Sequence, residues 1–242
     1  MSKKLLGLVL AMMLLFAVVA SASDITLFYA GDFDPNNPNA NGLANENDGI
    51  VSGSPYGAAT FQNFIVPTGQ NWTVHGLFSN DLMSVTASTA YWEIRSGVSQ
   101  GNGGTLIASG TGTDIMTPTG RSGFGFTEFN NLVTGLDVQL SSGMYWMTVV
   151  PLAPGQGGRS FNSNTFGLNS VGQGTADQEF FNSSFFGANY SNADNFGVFS
   201  FFSDGVIGCN GSCGGVPEPA SLLLLGSGLL GIGGTIRRRL SK

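Results

Sequence analysis

The chain has 242 residues, with nine Lys and Arg against fifteen Asp and Glu, and these charges are spread unevenly along it. The stretch from residue 23 to residue 219 holds three arginines, no lysine and all fifteen acidic residues, a net charge of −12. Such a body repels phosphate backbones, which argues against nucleic-acid binding, and its abundance of glycine disfavours long helices.

Residues 1–22 have the features of a secretory signal peptide. Lys3 and Lys4 form a basic start, an apolar run follows over residues 5–19, and Ala20 and Ala22 form a small-residue cleavage site. The apolar run is short for a membrane span of about 20 residues, so removal by signal peptidase is favoured over a permanent anchor. We therefore predict export, with a mature chain that begins after residue 22.

The body, residues 23–208, alternates short segments rich in aromatic and β-branched residues with Gly, Asn and Pro. Segments of this kind at intervals of about ten to fifteen residues predict strands joined by turns, and no segment has a helical period. The predicted strands are residues 24–30, 60–66, 72–78, 89–95, 104–109, 124–129, 136–140 and 144–150. The sequence therefore predicts an all-β fold, a single domain of the β-sandwich or jelly-roll type.

An acidic, Asn-rich segment follows the first predicted strand, over residues 32–49. Calcium is bound by about six to eight oxygen atoms, and Asp32, Asp34 and Asp48 are the candidate ligands in this segment. The order of residues does not match an EF-hand loop, and the same residue types dominate ordinary turns. A calcium site and a turn-rich loop both remain open, and we predict no obligatory cofactor.

Candidate catalytic residues are scarce, because His75 is the chain's single histidine and it lies in a predicted strand. A Ser-His-Asp or Cys-His site would need it as the base, and no nucleophile-elbow sequence is present. Zinc needs about three or four protein ligands, more than one histidine and two cysteines supply well. Glycoside hydrolysis needs only two carboxylates, but no pair stands out. We predict a protein that is not an enzyme.

Aromatic pairs offer a possible sugar-binding surface. Tyr91 and Trp92 are neighbours in one predicted strand, Tyr145 and Trp146 in another, and Trp72 lies in a third. Neighbours in a strand point to opposite faces, so one member of each pair can fill the core while the other reaches the second face. A carbohydrate platform and ordinary packing both explain the pairs.

The second half of the body has a different texture. Residues 136–150 predict a hairpin, with an alternating strand over 136–140, a turn of Ser141, Ser142 and Gly143, and an apolar strand over 144–150. Residues 155–208 are rich in Phe, Asn and Gly, so we expect long loops with one last core strand over residues 195–203.

Cys209 and Cys213 enclose Asn-Gly-Ser in the predicted linker, residues 209–215. The even count and the exported context favour a disulfide that closes this small loop. The flexible residues between the cysteines let their Cα atoms approach to about 5.5 Å. Free thiols are the alternative.

The C-terminus combines three features in close succession: Val216-Pro217-Glu218-Pro219, an apolar run over residues 220–236, and a basic tail over 237–242 that contains Arg237, Arg238 and Arg239. A helix of that apolar length spans about 25 Å, enough for a thin bilayer. The arginines would hold their end in the cytoplasm, which leaves the body outside. We predict a transmembrane helix over residues 220–236.

In this order and spacing, residues 216–242 resemble the PEP-CTERM sorting signal of Gram-negative bacteria. The resemblance implies that a membrane-embedded exosortase recognises Pro217, Glu218 and Pro219 and removes the helix and the tail. The two prolines bar helix continuation and would keep the segment extended for the protease. The resemblance also implies an inner-membrane intermediate and delivery to the cell surface or the extracellular matrix. The predicted strands of the body are similar to the β-sandwich bodies often found ahead of this signal.

We therefore expect a non-enzymatic exported surface or extracellular-matrix protein with a structural or adhesive role in exopolysaccharide or biofilm. Its expected partners are signal peptidase, exosortase and, after sorting, exopolysaccharide. The alternative function is a carbohydrate-binding module or a hydrolase that acts on a matrix polysaccharide.

Overall fold

Twelve β-strands make up nearly all of the regular structure between Asp24 and Gly211, the residues that the computed structural model describes. The strands are β1 (Ile25–Tyr29), β2 (Gly42–Ala44), β3 (Ala59–Met83), β4 (Thr89–Ser96), β5 (Thr105–Thr113), β6 (Ile115–Gly123), β7 (Phe126–Leu152), β8 (Ser160–Thr165), β9 (Phe180–Ser183), β10 (Ala188–Asn192), β11 (Phe201–Phe202) and β12 (Asp204–Asn210). A short 3-10 helix, Ala193–Asn195, follows β10. The predicted all-β body is confirmed.

The predicted transmembrane helix over residues 220–236 lies outside the described residues, and so does the predicted signal peptide over residues 1–22. Within residues 24–211, no helix has the length and apolar character needed to span a membrane.

The strands form one hydrogen-bonded sheet, whose main path runs β1-β12-β3-β7-β4-β5. β6 joins this path at β7, β9 joins it at β3 and carries β10, and β8 connects β3 with β2 and β11. Every pairing between these strands is antiparallel. The sheet is therefore built around the two longest strands, β3 and β7, which pair with each other along most of their length.

β3 and β7 bend together and fold the sheet into two facing layers. The register between them shifts between Val66 and Asn71, where Gly69 has a φ of +81°. The rings of Phe64 and Trp72, on either side of this bend, stack with their centroids 6.0 Å apart. In a straight strand, eight residues would separate their Cα atoms by about 26 Å. Long strands that pass from one layer to the other form the corners of such sandwich-like sheets.

This bend corrects two predictions. The predicted strands over residues 60–66 and 72–78 are the two halves of β3. The predicted hairpin over residues 136–150 is wrong, because β7 continues through Ser141–Gly143 without turning back on itself. Val138 lies opposite Val74 and Tyr145 lies opposite Phe64, both on β3. The Ser-Ser-Gly sequence resembles a turn because it forms the corner of β7.

The last strand of the body is also placed differently from the prediction. Of residues 195–203, only Phe201 and Phe202 form a strand, and β12 then lies inside the sheet, between β1 and β3. Its glycines permit this position, because a Cβ atom on Gly205 would collide with the ring of Phe78, and one on Gly208 with the backbone of Thr73. β12 extends to Asn210, into the predicted linker.

The main hydrophobic core lies between the two layers. It contains side chains from both halves of β3, among them Phe64, Val74 and Leu77, together with Phe28 of β1 and Val206 of β12. Burying each side chain of this size contributes about 1.5–3 kcal/mol to folding. The core therefore holds the first and last strands of the body, β1 and β12, against β3.

Candidate functional sites in the body

The three candidate calcium ligands all accept hydrogen bonds from other groups of the protein. Both oxygens of Asp32 accept hydrogen bonds, from the Tyr29 hydroxyl at 2.6 Å and from Arg121 and Asn169 at 2.7 Å each. Burial alone raises the pKa of Asp32, but the hydrogen bonds from Tyr29 and Asn169 and the charge of Arg121 outweigh it and lower the pKa. Asp32 is thus fixed by donors of its own chain.

The other two candidates form turns. An oxygen of Asp34 accepts a bond from the backbone of Asn36, and Oδ1 of Asp48 accepts bonds from the backbone N–H groups of Ile50 and Val51. In the part of the chain that the structure describes, no group of three or more His, Cys, Asp or Glu side chains is arranged to hold a metal ion. These contacts favour the turn-rich interpretation of the segment.

The aromatic pairs split between the two faces of their strands, as the sequence predicted. Tyr91 and Trp146 belong to one apolar cluster, while Trp92 and Tyr145 pack against the main core. Trp146 is 5% exposed, and its indole N–H donates to the backbone carbonyl of Gln178. Trp72 is also buried, and its N–H donates to the side chain of Gln70. Trp72 and Trp146 are therefore not available to stack against a sugar, while Trp92 and Tyr145 are only partly buried.

His75 contacts the residue that precedes β1 rather than a nucleophile. Its Nδ1 lies 2.6 Å from Oδ1 of Asp24, the residue that precedes β1. β1 begins opposite Gly208 of β12, so this contact holds Asp24 beside the last strand. The arrangement supports a structural role for the histidine.

Sequence analysis missed a group of fully buried polar side chains between the layers. Asp81 of β3 accepts bonds from Asn45 at 2.8 Å, Asn131 at 2.7 Å and Ser79 at 2.5 Å. Burial raises the pKa of Asp81 to about 7, against the effect of these three donors. Asp81 ends a three-residue polar run, Ser79-Asn80-Asp81, of the kind found in turns, so no local signal marks it as a buried carboxyl group.

Two further carboxyl groups face the same region. Oδ1 of Asp204 accepts a bond from Asn162 at 2.7 Å, and burial, together with the charge of Asp81, raises its pKa well above the ordinary value. Burial also raises the pKa of Asp114 to about 7, and Asp81 adds to this effect. Buried side-chain oxygens on Asp114, Asn131, Asn162 and Asp204 have no hydrogen-bond partner in the described residues. This region holds more acceptors than donors, which favours protonated carboxyl groups.

The basic side chains of the body are all committed to internal pairs. Arg121 bridges Asp32 and Glu128, with N···O distances of 2.7 and 2.5 Å. Arg95 pairs with Glu93, and Arg159 pairs with Glu46. Together with His75, these are the basic side chains between residues 24 and 211. The remaining charges exposed by the described body are therefore acidic.

Two adjoining cavities of about 360 and 430 Å³ open beside β1. Both are lined by Ile65, Gly172 and Gln173. Tyr29, Ser170 and Phe201 line the smaller one, and Gln70 and Pro67 line the larger. No charged side chain lines either cavity. We call the two together the β1 groove.

The candidate residues near the chain ends fall mainly outside the described residues. Ala20, Ala22, Cys213, Val216, Pro217, Glu218, Pro219, Arg237, Arg238 and Arg239 all lie there. Cys209 lies in β12 and is buried, and its predicted disulfide with Cys213 stays a prediction. Gly211, the last described residue, is fixed to β3: its N–H donates to the carbonyl of Asn71, and its carbonyl accepts from the Thr73 hydroxyl.

Residues 215–239 match the PEP-CTERM protein-sorting motif. The chain carries a PEP-CTERM sorting motif. This confirms the resemblance seen in the sequence and implies an exported protein that exosortase sorts through a membrane-anchored intermediate. Neither the curated proteins nor the solved structures contain a match to the chain.

The PEP-CTERM motif follows the body closely. It begins four residues after Gly211, and Pro217 is six residues after Gly211. Six residues reach at most about 20 Å when fully extended. β12, which lies between β1 and β3, ends at Asn210, so every residue of this strand precedes the motif. Removal of the motif would leave the sheet complete.

Proposed function

We propose that this chain is a non-enzymatic exported protein that signal peptidase and exosortase process and that then acts in the surface layer or extracellular matrix. The observation that carries the proposal is the PEP-CTERM motif, which begins shortly after β12, the last strand of the body. A cut near Pro219 would release a complete body, with all twelve strands retained. The role that follows is structural or adhesive, in exopolysaccharide or biofilm.

The body offers support for a role without catalysis. His75 is paired with Asp24, and the three arginines are paired with carboxylates inside the fold. A hydrolase of polysaccharides would need two carboxyl groups on an open cleft. The β1 groove is lined by no charged side chain, so it favours binding over hydrolysis.

The acidic surface suits a hydrated matrix. The exposed acids Asp137, Asp177 and Asp194 have no basic partner among the described residues, because each arginine and His75 is engaged elsewhere. Uncompensated charge of one sign keeps proteins soluble and separate from one another. This property fits a protein that is released into a polymer network.

Substitution of Glu218 tests the proposal. Glu218→Ala removes the only charge of the Pro-Glu-Pro sequence, so we expect uncut chain to accumulate in the inner membrane and the released form to fall at least tenfold. Asp137→Ala is the matched control, since it removes an exposed carboxylate from the body and should be processed normally. Normal release of Glu218→Ala, or equal retention of both variants, would refute processing at this motif.

A further inference from the structure

The β1 groove lies beside β1, at the edge of the sheet, and beside the residues around Ile65 of β3. Residues 172–174 cross this edge between β1 and β3. The carbonyl of Gln173 accepts a bond from the N–H of Ile65 at 2.9 Å, and Tyr29 and Val171 exchange two backbone hydrogen bonds of 2.8 Å. The two cavities of the groove share Gln173, so the crossing residues contact both. The two cavities therefore meet at a backbone segment that is hydrogen-bonded to both β1 and β3.

The groove presents neutral polar groups beside aromatic and aliphatic surface. The side chains of Gln173 and Ser170 are exposed and make no hydrogen bond with other described residues. Gln70 uses its carbonyl oxygen to accept from Trp72, which leaves its NH₂ group available as a donor. The half-buried rings of Tyr29 and Phe201 line the smaller cavity. Binding sites for small molecules combine apolar walls with a few polar groups in this way, in volumes of about 300–1,000 Å³.

The charges of the body limit which classes of ligand the β1 groove can bind. An anionic ligand would need a free cation, and the described arginines and His75 are all paired with carboxylates. A cationic ligand would need carboxylates on the groove wall, which are absent from both cavities. A purely apolar ligand would leave the amides of Gln70 and Gln173 without partners, which costs free energy. Neutral sugars carry hydroxyl groups around apolar ring faces and meet all three conditions.

We propose that the β1 groove binds a neutral polysaccharide, with the sugar hydroxyls bonded to Gln70, Ser170 and Gln173 and a sugar ring packed against Phe201. The two neighbouring cavities, of about 360 and 430 Å³, together offer room for more than one sugar unit of a polymer. This inference rests on the proposed matrix function and names the ligand class that the body would recognise there.

Affinity electrophoresis of the full-length chain in detergent tests the inference, with dextran, hydroxyethyl cellulose and alginate in the gel. We expect at least one of the two neutral polymers to retard the chain and the acidic alginate to have no effect. Gln173→Ala removes one hydrogen-bonding side chain and should weaken the retardation roughly 3- to 10-fold. Phe201→Leu keeps apolar volume, loses the ring face and should weaken it similarly.

Gln178→Ala is the matched control, because it removes an exposed glutamine side chain outside the groove and should bind like the parent chain. A thermal melt checks that each variant is folded. Three results would overturn the inference: neither neutral polymer retards the chain, alginate retards it equally, or folded Gln173→Ala and Phe201→Leu bind like the parent. Because the unprocessed chain is used, failure here leaves the exosortase proposal standing, and failure of processing leaves this result standing.

Discussion

Asn162 donates a hydrogen bond to Oδ1 of Asp204 at 2.7 Å, while Oδ2 of the same carboxyl group is buried without a hydrogen-bond partner. Both side chains are fully buried between the layers of the sheet. An ionised carboxylate in this position would be under-solvated, so the protonated form is favoured. The free energy of unfolding of the body should therefore depend on pH.

Acidification should stabilise the body. The folded-state pKa values of Asp81 and Asp114 are raised from 3.8 to about 7, and burial raises that of Asp204 well above its ordinary value. The folded state therefore binds more protons than the unfolded state at any pH between about 4 and 7, and the free energy of unfolding falls as pH rises through this interval. We expect the Tm to fall by roughly 5 °C or more between pH 5 and pH 8. A Tm that stays level or rises over this range would contradict the buried-acid account.

Two aspartate substitutions should have opposite effects. Asp204→Asn can keep its bond from Asn162 and removes a buried charge, so at pH 8 it should raise the Tm and flatten its pH dependence. Asp81 accepts from three donors, and in Asp81→Asn the new NH₂ group faces at least one of them. We expect Asp81→Asn to destabilise by about 1–3 kcal/mol in chemical denaturation. Equal effects of the two variants would show that their hydrogen-bond environments do not differ as described.

The bridge formed by Arg121 should be strongly coupled to Glu128, whose side chain is fully buried. Arg121→Ala leaves that carboxylate unpaired and should destabilise by about 2–4 kcal/mol. Adding Glu128→Gln to Arg121→Ala should recover part of this loss, because no buried charge then remains. A double-mutant cycle by urea unfolding measures the coupling. Additive effects of the two substitutions would mean that the bridge contributes nothing as a pair.

The bend of β3 depends on the backbone of Gly69. Its φ is +81°, and no atom lies within 4 Å of where a Cβ atom would be. Gly69→Ala should therefore destabilise by about 1 kcal/mol through backbone strain alone. Gly157 has the same open surroundings without a positive φ, so Gly157→Ala should be neutral or slightly stabilising. If the two variants melt at the same temperature, the positive φ carries no cost and this description of the bend is wrong.

The sequence predicts β1, β4, β5 and both halves of β3 and β7, but not β6, β8, β9, β10 or how the strands join. Alternation and β-branched residues are local signals, and they locate both halves of β3 and β7. The corners at residues 67–70 and at Ser141–Gly143 contain turn-forming residues, so a strand that bends there looks like two strands. The sequence does not predict β12, because its glycines lower β-propensity. These glycines are needed in the fold because Phe78 and Thr73 approach them closely.

The candidate sites also divide into those that the sequence shows and those that only the fold shows. The PEP-CTERM motif is a contiguous sequence and is found from the sequence alone. The β1 groove joins Gln173 to Ile65, more than 100 residues earlier in the chain, and so it exists only in the fold. Asp81 and Asp204 are likewise indistinguishable from exposed aspartates until the layers close over them.

The intact mass of the form released from cells tests the central claim most directly, because it reports both cleavages at once. We predict a chain that begins near Ser23 and lacks everything from about Ala220 onward, while β12 and the rest of the body are retained. A released form that still contains residues 220–236 would contradict the account.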